Sequence, residues 1–272
     1  MSGARIKSLV IVVLVLINAA FLTVIIIDNI TDARSLRESV ENVCSIMQSN
    51  GIMIVPDNVR TGSAIRTMRT SRVPEAEEAV AYAVLGSASV LDEGVIYTYE
   101  NAERGTAKFY TAGDFEIHLI AGAITSTDDT LGTVQGLVRN MKLEAIIYNH
   151  SPGEDGETVT ALCTYRGASI FNCTIDFIFS NGSLSAITGR YVAGIEPAEN
   201  GAELSQVGTA LLGFLAAVKR GDIECAYIGS VEAGYQYRVV GSFGEIAPAW
   251  MLDTDTGRYI IDAETGEIRA IS

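Results

Sequence analysis

The sequence predicts an α+β architecture, an N-terminal single transmembrane helix followed by two helix-on-antiparallel-sheet modules. Three observations carry this. Leu9 to Ile27 form a 19-residue run interrupted only by Asn18 and Thr23. Behind it, a helical stretch followed by short strands recurs along the chain. Within the strands, apolar and polar residues alternate, as in Phe115, Ile117 and Leu119 against Glu116 and His118. That alternation marks sheets with one wet face and one face covered by helices.

At about 1.5 Å per residue the apolar run reaches roughly 28 Å as a helix, enough to cross a hydrocarbon core. Arg5 and Lys7 precede it and Asp28 and Asp32 follow it. Positive charge stays on the cytoplasmic side. Residues 1–7 are thus expected inside, 8–27 in the membrane and the rest outside, as a single-pass cell-membrane protein. A cleaved signal peptide is the alternative, but its apolar region is shorter and ends in a small-x-small site. Here the run ends Ile25-Ile26-Ile27-Asp28.

A juxtamembrane helix is expected within 28–50, from Thr31 to Asn50, closed by Gly51. Leu36, Val40, Val43 and Met47 fall on one face, and Ser35-x-x-Glu38 has capping-box form. The stripe can pack on its own domain or against a partner's helix. A short strand stopped by Pro56 follows, and then an arginine-bearing surface stretch from Arg60 to Arg72. Module 1 (51–150) holds a helix from Glu75 to Leu85 and strands Val95–Tyr99, Thr106–Tyr110 and Phe115–Ile120. A second helix covers 127–142, with a strand near 143–149. The turn-rich, acidic stretch around residue 150 marks the cut. Module 2 (151–272) has strands near 157–165, 169–179 and 183–192 and a helix near 203–220. Strands near 223–230, 234–240, 247–253, 258–262 and 267–271 complete it.

The whole chain carries −14, and Arg5 and Lys7 place +2 within 1–27, so residues 28–272 carry −16. A surface this acidic repels polyanions, which excludes nucleic acid as a natural partner. Four cysteines are too few for a disulfide scaffold. Cys163 and Cys173, however, flank a hairpin expected to turn through Gly167-Ala168-Ser169, which would set them opposite each other. A disulfide is geometrically allowed there, and two core thiols fit equally.

The tail "PAWMLDTDTGRYIIDAETGEIRA" contains a D-T-G at Asp255-Thr256-Gly257. An aspartic-protease site needs two aspartates sharing a proton. Here the second turn reads E-T-G, and Asp255 stands beyond the end of its strand. An EF-hand loop needs a third carboxylate and a sixth-position glycine. Counting from Asp253, Gly257 and Arg258 hold those places, so only a weak surface calcium site at Asp253 and Asp255 stays open. Asp, Thr and Gly also build plain hairpin turns, which explains every residue type in the tail. His118 and His150 have no Ser, Cys or Asp at motif spacing. The sequence therefore predicts a protein that is not an enzyme, with no catalytic, cofactor-binding or metal residue and no cofactor.

The overall plan, with "IECAYIGSVEAGYQY" (Ile223 to Tyr237) and "APAWMLDTDTGRYIIDAETGEI" after it, resembles the YycH/YycI family of Gram-positive bacteria. Those are membrane-anchored accessory proteins of a two-component sensor kinase governing cell-wall metabolism. The tail is also similar to PepSY-type domains, small binding or inhibitory modules of the cell envelope. The resemblance implies a non-catalytic regulator that contacts the kinase's transmembrane region and a related accessory protein. The contact surface would be the membrane helix, where Asn18 is the strongly polar side chain and Ala19-x-x-x-Thr23 allows close helix approach. The alternative is a PepSY-like extracytoplasmic inhibitor or ligand-binding module.

Overall fold

A computed structural model describes residues 34–61, 65–126, 129–153, 156–240 and 243–271. The apolar run, with Asn18, Ala19 and Thr23, lies outside them. Among the described residues, no helix is long and apolar enough to cross a membrane.

Among the described residues the fold is mixed α and β, with four α-helices beside one 16-stranded sheet. Helix α1 covers 34–49, α2 Pro74–Leu85, α3 Thr130–Asn140 and α4 Val207–Arg220. Strands β1 (Met53–Ile54), β2 (Val59–Arg60) and β3 (Met68–Thr70) precede α2. Then come β4 (Ser89–Asp92), β5 (Ile96–Asn101), β6 (Gly105–Tyr110) and β7 (Asp114–Leu119). Between α3 and α4 lie β8 (Ala145–Pro152), β9 (Gly156–Tyr165), β10 (Ala168–Ser180), β11 (Ser183–Arg190) and β12 (Glu196–Pro197). The chain closes with β13 (Tyr227–Val240), β14 (Phe243–Thr254), β15 (Gly257–Asp262) and β16 (Ile268–Ile271).

Local chemistry sets the helix ends. Val40, Val43 and Met47 of the α1 stripe are buried with Cys44, whereas Leu36 stays exposed. The helix stops at Gly51, whose φ of 88° lets the chain turn so that the Ile52 amide reaches the Met47 carbonyl. Helix α3 starts later than its apolar pattern suggests because the Asp129 carboxylate accepts the Gly132 amide at 2.8 Å. Lys219 and Arg220 occupy the last turn of α4, where cations favour the helix dipole, and Gly221 closes it in the left-handed region.

One set of strands runs in the order β4-β5-β6-β7-β11-β10-β9-β8. Its pairing crosses residue 150, since Ile117 of β7 stands opposite Ile187 of β11. Residue 150 itself falls inside β8, which forms a hairpin with β9 across a Gly153–Gly156 backbone bond. The other set is built on the long β13–β14 hairpin, with β3 and β15 beyond β14. Sequence patterning divides the β13 region into two strands, yet one strand runs through it, with a register shift against β14 at Gly229 and with Gly234 in the ladder. On the other edge of β13, β1, β2 and β10 pair in parallel, one after another.

The two sets are joined by β10. Its start turns tightly from β9 through Arg166 and Gly167, both at positive φ, a two-residue turn rather than the expected three. A bulge then shifts the β9 register between Ser169 and Thr174. Inside it, Ile170 pairs with Tyr235 of β13, and the Asn172 side chain takes the place of a backbone unit. Its amide accepts from the Tyr237 amide at 2.7 Å and donates to the Tyr237 carbonyl at 2.8 Å. Gly234 makes room for this crossing, because a Cβ there would lie 2.5 Å from the Phe171 ring and 2.6 Å from the Ser169 carbonyl.

All four helices and both strand sets contribute to a single main core, including Met47, Val84, Leu137, Phe177, Phe214 and Trp250. Trp250 and Leu252 share its face of β14, as do Tyr259 and Ile261 on β15. The Trp250 indole donates to the Ser205 carbonyl at 3.1 Å, and the Phe214 ring meets Tyr259 edge-on at 5.5 Å. Phe171 escapes the main core. The bulge throws it onto the opposite face of the β13–β15 strands, where it forms a small second cluster with Ala249 and Ile260.

Candidate functional site

That second face carries a broad groove of mixed apolar and polar lining. The strand sets diverge from the β10 crossing and leave between them a groove of about 510 Å³. Its apolar floor comprises Phe171, Met251 and Ile271, with Leu162 beside them. Its rim carries Ser230, Glu232, Asp253, Arg258, Asn172 and Tyr148. The Arg258 guanidinium lies 5.2 Å from the centre of the Tyr148 ring, so a β15 side chain reaches across to β8. On the other wall the Glu232 carboxylate accepts the Ser169 hydroxyl at 3.0 Å. An apolar floor with a few fixed polar groups around it suits binding of an amphipathic ligand. No His or Cys stands among the lining residues described.

The residues singled out by sequence fall in separate places. Asp253 lines this groove, opposite Arg258 in the β14–β15 ladder. Asp255 does not face it. Its carboxylate accepts the amides of Ala226 and Tyr227 at 3.2 to 3.3 Å, tying the β14–β15 turn to the start of β13. Desolvation pushes the Asp255 carboxyl up, but the two amides and the Cys225 thiol outweigh it, and the net pKa is lowered. Thr256 completes the turn by donating to the Glu224 carbonyl. Among the described residues, no group of three or more His, Cys, Asp and Glu side chains could hold a metal ion.

His150, expected in a loop, lies in β8 and meets the Glu157 carboxylate at 2.7 Å, while Thr130 donates to the other oxygen. The Thr130 bond, then that of His150, holds the Glu157 pKa below the usual carboxylate range. His118 is solvent-facing near Glu116. At the end of the β10 bulge, Cys163 and Cys173, both buried, meet at one acceptor, the Arg190 carbonyl. The groove itself was not singled out in the sequence. Phe171 reads as one more core position in the series Phe171, Cys173, Ile175, and only the bulge reassigns it. Exposed Ile146 and Tyr148 on an edge strand were the available signal.

No family model matches the sequence, and no curated protein matches it. Among solved structures, the chain is similar in fold to an uncharacterized protein from Eubacterium rectale, with a TM-score of 0.50 and 11% identity over 81% of this chain and 93% of that one. The Bacillus megaterium YpeB C-terminal domain also aligns, at a TM-score of 0.39 and 9% identity over 75% of this chain and 99% of that one.

Proposed function

We propose that the chain is a membrane-anchored extracytoplasmic regulator that works by binding rather than catalysis, acting on a two-component sensor kinase. The partner class rests on the resemblance of residues 223–237 and the tail to the YycH/YycI family. The observation that supports the mechanism is the seating of α1. This helix is described from residue 34, shortly after the apolar run ends at Ile27, and buries Val40, Val43, Cys44 and Met47 in the main core. A close-packed interior transmits displacement instead of absorbing it. A partner that shifts the outer domain therefore shifts α1, and with it the segment at 8–27. Asn18, Ala19 and Thr23 supply the contact inside the membrane.

The test is co-purification of the intact chain from membranes, beside an Asn18→Leu version. A sensor kinase recovered with the intact chain and depleted with Asn18→Leu is expected. Equal recovery with both, or full activity of a soluble 28–272 fragment, would remove the membrane helix from the mechanism.

The groove beneath Tyr148 favours a second reading, a PepSY-like ligand-binding or inhibitory module. There the soluble fragment keeps its function, and Met251→Glu, which places a charge on the apolar floor, abolishes it.

A further inference from the structure

Cys163 and Cys173 stand at the end of the bulge, where regular pairing resumes at Thr174 and Leu162, and both thiols donate to one acceptor, the Arg190 carbonyl, at 3.3 and 3.1 Å. Two thiols on neighbouring antiparallel strands that converge on one acceptor are neighbours, and a disulfide between them needs their Cβ atoms about 3.5–4.5 Å apart. Their access differs. Cys163 lines an open pocket of about 350 Å³ between α2, the end of α3 and the 191–195 segment. Cys173 has 0% exposure. The other two thiols are placed elsewhere, Cys44 buried on α1 and Cys225 beside Asp255.

We propose that this pair is an oxidative modification site in which Cys163 reacts first and Cys173 closes an internal disulfide. The oxidant is a small disulfide such as glutathione disulfide, or the disulfide form of a thiol oxidoreductase. Cys163 gives its proton to water in the pocket and attacks one sulfur of the oxidant. The oxidant's S–S bond breaks and one half leaves as a thiolate, giving a mixed disulfide on Cys163. The Cys173 sulfur then attacks the Cys163 sulfur, and its proton passes to the second half as that leaves. The two cysteines lose two electrons and two protons, and the oxidant gains both. The closed bond fastens β9 to β10 beside the bulge where β10 passes from one strand set to the other. The chemistry depends neither on the kinase partner nor on the groove.

The test uses the full chain in detergent, reduced and then held in a buffer rich in glutathione disulfide. After acid quenching, free thiols are alkylated and the chain is cut with trypsin. Cleavage after Lys142, Arg166 and Arg190 puts the two cysteines on separate peptides, 143–166 and 167–190. The expected product is those two peptides joined, two hydrogen atoms lighter than their sum, with two of the four thiols lost to alkylation in denaturant. A Cys173→Ser chain should accumulate the glutathione adduct on Cys163, and a Cys163→Ser chain should leave Cys173 free. Recovery of both peptides as free thiols, or pairing with Cys44 or Cys225, overturns the assignment. An adduct that forms faster on Cys173 than on Cys163 overturns the order. The linked peptide is read on the unaltered chain, so a poorly folding variant cannot mask the result.

Discussion

Glu77 receives Arg72 through two parallel bonds, Nε to Oε1 at 2.7 Å and Nη2 to Oε2 at 2.9 Å, with the carboxylate buried under the start of α2. The same guanidinium donates to the carbonyls of Val95 and Phe109 and lies 4.3 Å from the Tyr97 ring centre. Hydrogen bonding to Glu77 holds the Arg72 pKa above its ordinary value. Arg72 was expected on the surface as the last of an arginine-bearing stretch, and instead it fixes α2 to the β5–β6 hairpin.

Breaking this pair from one side leaves a buried charge without its partner. Glu77→Leu should therefore destabilise the domain by about 3–5 kcal/mol, while replacing a buried pair with apolar side chains is often close to neutral. The double variant Arg72→Met with Glu77→Leu should recover most of the loss. Urea unfolding of the three chains measures this, and a double variant no better than Glu77→Leu would contradict it.

Asp255 gives a pH-dependent prediction. Its folded pKa is depressed, so its contribution is present above the unfolded carboxylate value, near 3.8. It is lost as pH falls through the lower folded value. Asp255→Ala should lower the melting temperature at pH 7, and the gap to the parent chain should close in that acid window. A gap that persists at the acid end would show that the carboxylate's bonds to Ala226 and Tyr227 are not what it contributes.

Much of the fold was legible because it rests on periodicity. The helices at α1, α2, α3 and α4 and most strands of four residues or more follow from spacing alone. The short strands β2, β3 and β12 did not, since two or three residues carry no period and are held by neighbours distant in sequence. Exposed β4, with Val90 and Leu91 in solvent, breaks the alternation rule outright. The D-T-G was readable as a turn because Asp, Thr and Gly bond locally. The groove was not, because it depends on a bulge that reverses which face Phe171 occupies, and on β8 and β15 meeting through Tyr148 and Arg258.

Gly234 tests the β10 crossing. Its substitution by Ala places a methyl 2.5 Å from the Phe171 ring and 2.6 Å from the Ser169 carbonyl, so at least one neighbour must shift. A loss of about 1–3 kcal/mol is expected, typical of overpacking. Phe171→Ala in the same chain removes the ring contact and should restore part of it, which separates this clash from a general intolerance of β13. No recovery would place the strain at the Ser169 carbonyl alone.

Met47 links stability to the proposed mechanism. It has 0% exposure and lies in the main core with Val43 and Cys44, so Met47→Ala should cost about 2–5 kcal/mol through the cavity it leaves. The chain's one tryptophan, Trp250, is 2% exposed and shares a pocket with Leu36 at the other end of α1. Its emission should be that of a buried indole and should shift towards that of a solvated one when α1 loosens. In Met47→Ala, therefore, emission should begin to shift at lower denaturant than strand unfolding followed by circular dichroism. If α1 is the lever between the outer domain and residues 8–27, this variant should also keep kinase binding in the membrane yet lose its regulatory effect. Coincident transitions with unaltered regulation would mean that α1 is only a spacer, and the coupling would have to run through the membrane segment by itself.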